Sequence, residues 1–128
     1  MWADSVVVDI SVLIRLHDQQ QLENLLHQET LKLTLSDGVA TCLTSLGYEM
    51  TQAINVHELS RKMMIRAVNL RQTHPEISWL NIQSLILAAD LPMPLLTDDL
   101  QMIPLCQMLL IEKPSEQAFH MIKKLNVE

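Results

Sequence analysis

Two short stretches of this chain carry residues that could do chemistry. The first centres on Asp9, set inside the apolar run Val6-Val7-Val8-Asp9-Ile10-Ser11-Val12-Leu13-Ile14. An ionised carboxylate in such a run is costly unless a metal ion, a cation or backbone N–H groups partner it. The second is Thr97-Asp98-Asp99, directly after Leu95-Leu96. Carboxylates gathered at the carboxyl edge of a parallel sheet can hold Mg2+ or Mn2+, hard cations that prefer oxygen ligands. Such an ion can activate a water and steady the charge on a phosphodiester in transition. Each stretch also has a purely structural reading. Asp9 can cap a helix by accepting from a backbone N–H two or three residues on, and Asp98 can face Gln101 in a capping box. Taken together, the two stretches favour a site.

Elements at the right places must bring them together. Three consecutive valines suit a strand buried on both faces, so residues 5–10 are read as the first strand, with Asp9 at its end if the strand stops at Val8. A short helix follows over Asp18–Gln28, striped by Leu22, Leu25 and Leu26. The alternation in Leu31-Lys32-Leu33-Thr34-Leu35 predicts a half-buried strand. Ser36-Asp37-Gly38 then opens a helix over Val39–Leu46, ended by Gly47. The spacing of Val56, Leu59, Met63, Ala67 and Leu70 predicts one long helix over Gln52–Gln72, stopped by His74-Pro75. Ser78 caps a further helix over Leu80–Ala89. Asp90–Pro94 is a stiff loop, Leu95-Leu96 a short strand, Leu100–Leu105 a short helix, Met108–Glu112 a last strand and Ser115–Leu125 a C-terminal helix. Strands alternating with helices in this way imply an α/β fold: a three-layer sandwich whose central parallel sheet of four to five strands is flanked by helices.

Composition narrows the function classes. A length of 128 residues suits a single domain, 1–128. The formal net charge of −6 disfavours a protein that works by neutralising phosphates over its whole surface. RNA binding would need a local patch, for which Arg61, Lys62 and Arg66 are the candidates. An equally physical reading of those cations is a solvated helix face with charges favoured by the helix dipole. Cys42 and Cys106 lack any ligand spacing and read as reduced thiols in a cytoplasmic protein. The start of the chain lacks the basic residues of a secretion signal, and no apolar run is long enough for a membrane span. With only Gly38 and Gly47, the chain has no glycine-rich phosphate loop.

In the order and spacing of these pieces the chain resembles the PIN domain family. Val7-Val8-Asp9-Ile10-Ser11-Val12-Leu13-Ile14 is similar to the family's opening strand with its Asp-x-Ser/Thr turn. Leu85-Ile86-Leu87-Ala88, the Pro92–Pro94 loop and Leu95-Leu96-Thr97-Asp98-Asp99 are similar to its closing half. The resemblance implies a metal-dependent ribonuclease fold. It also implies kinship with small bacterial VapC-type toxins that a paired antitoxin neutralises, and a homodimer as a family expectation. The family site draws on four acidic positions. The first and last map onto Asp9 and Asp99, with Asp98 beside the latter and Ser11 and Thr97 in support. The second falls near Thr41 or Cys42 and the third on Gln83, with Asn81 nearby; none of these is acidic. Asp37 or Glu49 could move into the gap. An Mg2+ or Mn2+ ion held mainly by Asp9 and Asp99 should bind weakly, since charge count tunes affinity for such ions. The expectation is therefore a PIN-like protein with weak or no nuclease activity that acts through binding to a protein partner. An active endoribonuclease recruiting a substitute acid is the alternative, and a plain α/β interaction domain a third reading.

Overall fold

Val6, Val7 and Val8 lie in β1 (Asp4–Val8), and all three are wholly buried. The computed structural model describes residues 4–112. Along the chain, β1 is followed by α1 (Ile10–Asp18), α2 (Leu22–His27), β2 (Leu31–Ser36), α3 (Asp37–Ser45) and β3 (Ile54–His57). Then come α4 (Arg61–Thr73), α5 (Trp79–Asp90), β4 (Leu95–Leu96), a 3₁₀ turn over Leu100–Met102 and α6 (Ile103–Met108). The four strands form one all-parallel sheet in the order β3-β2-β1-β4. The fold is the expected α/β sandwich.

Alternation along β1 explains the layers. Val6 and Val8 point to one face, where they pack with Leu33 and Leu35 of β2 and the apolar sides of α1, α2 and α3. Val7 points to the other, where it meets α4, α5, Leu95 and Leu105 of α6. Burying each of these valines contributes roughly 1.5–3 kcal/mol relative to leaving it in water. With helices on both faces and strands on both sides, β1 is the axis of the molecule.

Several expectations are corrected. The first strand ends at Val8, because Asp9 already caps α1. The expected helix over Asp18–Gln28 is the shorter α2; residues 10–18 are helical themselves, and Gln20 turns the chain between the two helices with φ of 60°. The single helix over Gln52–Gln72 is in fact two elements. Ile54–His57 pairs in parallel with β2, and α4 begins only after Ser60, whose hydroxyl accepts from the Met63 N–H at 3.2 Å. Met63 and Ala67 face the core as the periodicity required, but Val56 is 43% exposed on an edge strand. The last strand over Met108–Glu112 is not formed either. There α6 runs to Met108 and is closed by two backbone bonds, Ile111 N–H to the Cys106 carbonyl (2.9 Å) and Leu110 N–H to the Gln107 carbonyl (3.2 Å). The expected helix at Ser115–Leu125 lies outside the described residues.

Among the described residues, no helix is long and apolar enough to cross a membrane.

Candidate functional site

In this strand order the chain leaves β1 toward β2 on one side and returns to it with β4 on the other. The gap past the carboxyl ends of β1 and β4 is thus the topological switch point, where open parallel sheets bind ligands. Asp9 follows β1 and Thr97-Asp98-Asp99 follows β4, so both sequence stretches converge there. The strands are tied at this end by their backbones: Asp9 N–H donates to the Leu96 carbonyl at 3.1 Å.

Asp9 is 0% exposed. Its Oδ1 accepts from the Ser11 N–H (3.1 Å), the Val12 N–H (3.3 Å) and the Ser11 hydroxyl (2.5 Å). The residue is therefore the N-cap of α1, as the structural reading had it. Its Oδ2, however, is buried and makes no hydrogen bond of normal length and angle among the described residues; the Thr97 hydroxyl acts on the carboxyl without completing one. A cap uses one oxygen; the second is left over. Burial pushes the Asp9 carboxyl above its ordinary range, against the smaller downward pull of the Ser11 and Thr97 hydroxyls and the Val12 and Ser11 amides.

Ser11 does more than satisfy Asp9. While its hydroxyl donates to Asp9, it accepts from the Asp98 N–H at 3.0 Å. One hydroxyl thus joins the carboxylate after β1 to the loop after β4. Asp98 forms a two-pronged ion pair with Arg15, through Nε to Oδ2 and through Nη2 to Oδ1 at 3.2 Å. Asp98 does not cap the following turn; Asp99 does, accepting from the Gln101 N–H at 3.0 Å through Oδ1. The Asp99 N–H in turn donates to the Thr97 hydroxyl at 3.0 Å.

The third family position also moves. The resemblance puts that position at Gln83 with Asn81 nearby; of the two it is Asn81 that reaches Asp99, donating from Nδ2 to Asp99 Oδ2 at 3.1 Å. Asn81 is in the first turn of α5, three residues after the Ser78 cap, and is 5% exposed. Its own Oδ1 is buried and unpartnered. Gln83 faces α3 instead, so close that a Cβ on Gly38 would stand 2.7 Å from its Oε1. That oxygen is a further buried acceptor without a partner, as is the Thr34 hydroxyl on β2.

Asp37 opens α3 at the carboxyl end of β2, exposed, with Oδ1 accepting from the Gly38 N–H at 3.0 Å. Thr41 is exposed one turn further on, its hydroxyl donating to the Asp37 carbonyl at 2.8 Å. Cys42 packs against the core on the α1–α3 side of the sheet. On α4, Arg61 and Lys62 are exposed, whereas Arg66 is ion-paired with Asp90 of α5.

Sequence reasoning missed Arg15 and Cys106, and named Asn81 only as a neighbour of Gln83. Arg15 is four residues after Ser11 and so shares its helix face, a signal that needed α1 to be delimited first. Asn81 could have been found from its distance to the Ser78 cap. Cys106 is linked to the site only through space: burial, and then the negative charge of Asp9, raise its thiol.

The donor set does not fit a divalent cation. Among the described residues, no three His, Cys, Asp or Glu side chains stand together to hold one. Asp98 is taken by Arg15, both oxygens of Asp99 accept N–H groups, and only Oδ2 of Asp9 is left free of hydrogen bonds.

No protein-family profile matches the chain, and no curated protein is significantly similar to it. Its fold is nevertheless known. The chain is similar to a solved structure described as a toxin–antitoxin complex from Klebsiella pneumoniae, with a TM-score of 0.52 over 73% of this chain and 86% of that one. The aligned sequences are 18% identical, so what the two share is the fold.

Proposed function

We propose that this protein is a PIN-like domain related to Mg2+- and Mn2+-dependent endoribonucleases, with little or no nuclease activity, and that it acts by binding a protein partner of the antitoxin kind. The observation that carries this reading is how the acids at the switch point are used. Asp9 caps a helix, Asp98 neutralises Arg15, and Asp99 caps a turn while accepting the Asn81 amide. Asp98 and Asp99 hold the loop after β4 to α1 and α5, and Asp9 is joined to it through the Ser11 hydroxyl. The fold-level likeness to a chain from a toxin–antitoxin complex supports a life in complex with another protein.

One observation favours the alternative of an active ribonuclease. Asp37 stands exposed at the end of the strand next to β1 and could serve as a substitute acid beside Asp9 and Asp99. Incubating the purified protein with single-stranded RNA and Mn2+, beside Asp9→Asn and Asp37→Asn variants, separates the two. We expect no cleavage above background for any of the three proteins. Cleavage by the wild type that either substitution abolishes would establish the enzyme instead.

A further inference from the structure

We infer that Asn81 is the residue that closes this site to divalent cations, and that a carboxylate in its place would open it. The inference rests on the PIN-like reading of the fold. An amide beside a carboxylate has one stable orientation, with its NH₂ toward the oxygen, because the opposite one sets two acceptors against each other. Asn81 takes that orientation, and Nδ2 stands 3.1 Å from Asp99 Oδ2. The positive end of the amide dipole therefore lies on Asp99 Oδ2, an oxygen that a bound cation would have to compete for. The cost is visible on the other side of the same group. Turning NH₂ toward Asp99 leaves Asn81 Oδ1 buried without a donor, while Asp9 Oδ2 is buried without one too. A buried acceptor left without a donor is the cost of that orientation.

Charge count leads to the same conclusion. With Asp98 held by Arg15, Asp9 and Asp99 are the carboxylates left on either side of the switch point. Two charges, with an amide N–H directed at one of them, make a poor Mg2+ or Mn2+ site; a third carboxylate reverses both faults together. Of the two α5 amides, position 81 is the one placed to do this, because it already touches Asp99, whereas Gln83 is packed against α3.

The test is a Mn2+ titration by isothermal calorimetry of the full-length wild type, Asn81→Asp, and Asn81→Asp combined with Asp99→Asn. We expect Asn81→Asp to bind at least tenfold more tightly than the wild type, and the double variant to lose that gain. Wild-type binding as tight as that of Asn81→Asp would overturn the inference, as would a gain that survives the loss of Asp99. The new carboxylate faces Asp99 without an ion, which destabilises the metal-free fold, so a second variant covers the case in which Asn81→Asp does not fold. Asn81→Ser then decides: it removes the amide from Asp99 without adding charge and should bind Mn2+ at least threefold more tightly than the wild type, and no gain there overturns the inference. Because the titration contains no RNA, its outcome is separate from that of the cleavage assay. Wild-type cleavage would defeat the functional reading, and equal Mn2+ affinities would defeat this one.

Discussion

At the scale of single residues, Asp9 makes the strongest claim on stability. Buried and half-satisfied, its carboxyl holds its proton to higher pH than it does in the unfolded chain, where the ordinary value is about 3.9. Below that ordinary range both states are protonated and the group costs the fold nothing. As pH rises from there through the elevated native value, the unfolded state ionises first and stability drains away. Asp9→Asn should therefore melt several degrees above the wild type at pH 7, with the gap closing as the pH falls into the carboxylate range; a thermal-melt series from pH 3 to 8 checks both. The site was partly legible from such residues. Asp9 announced itself because a charge among valines is anomalous, and Asp99 because it follows a strand. Asn81 and Arg15 are ordinary helix residues until the fold sets them against Asp99 and Asp98. Nothing local marks a contact that spans eighteen or eighty-three positions.

Elements were legible where local chemistry agreed with packing. The caps at Ser36 and Ser78 each accept from the N–H three residues on, and α3 and α5 begin where those serines stand; Ser60 caps α4 in the same way but went unread inside the longer stripe. Reading failed where one pattern ran through a boundary. Val56 and Leu59 fall by chance on the stripe of α4, and the apolar residues at 108–111 imitate a strand while a helix end absorbs them. Three helices close in the same way, each with a left-handed residue and two backbone bonds: Gln20 after α1, Gly47 after α3 and Leu110 after α6. Only one of the three is glycine, the residue that adopts this conformation without steric cost. A side chain there costs about 1–2 kcal/mol, offset in part by glycine's greater loss of freedom on folding. Gln20→Gly should accordingly raise the unfolding free energy by about 0.5–1 kcal/mol, and Gly47→Ala lower it by about 1 kcal/mol. Urea denaturation of the two variants measures both, and the signs must be opposite.

For the whole molecule, charge and topology set the terms. A net charge of −6, with Arg15 and Arg66 tied to acids, leaves little positive potential to draw in a polyanion. We expect no retention on heparin at physiological salt, and retention there would mean that the exposed cations of α4 act together as a patch. Topology was readable from the alternation of strands and helices; which strand returned to lie beside β1 was not, because β4 is only two residues long. That late return has a consequence for how the protein is made. Asp9 leaves the ribosome ninety residues before Asp99, an interval of about 5–20 seconds at ordinary rates of synthesis. Until β4 is made, the Val7 and Asp9 N–H groups lack the Pro94 and Leu96 carbonyls that bind them in the finished fold. The β1 edge is therefore complete only once the last strand of the sheet has been made.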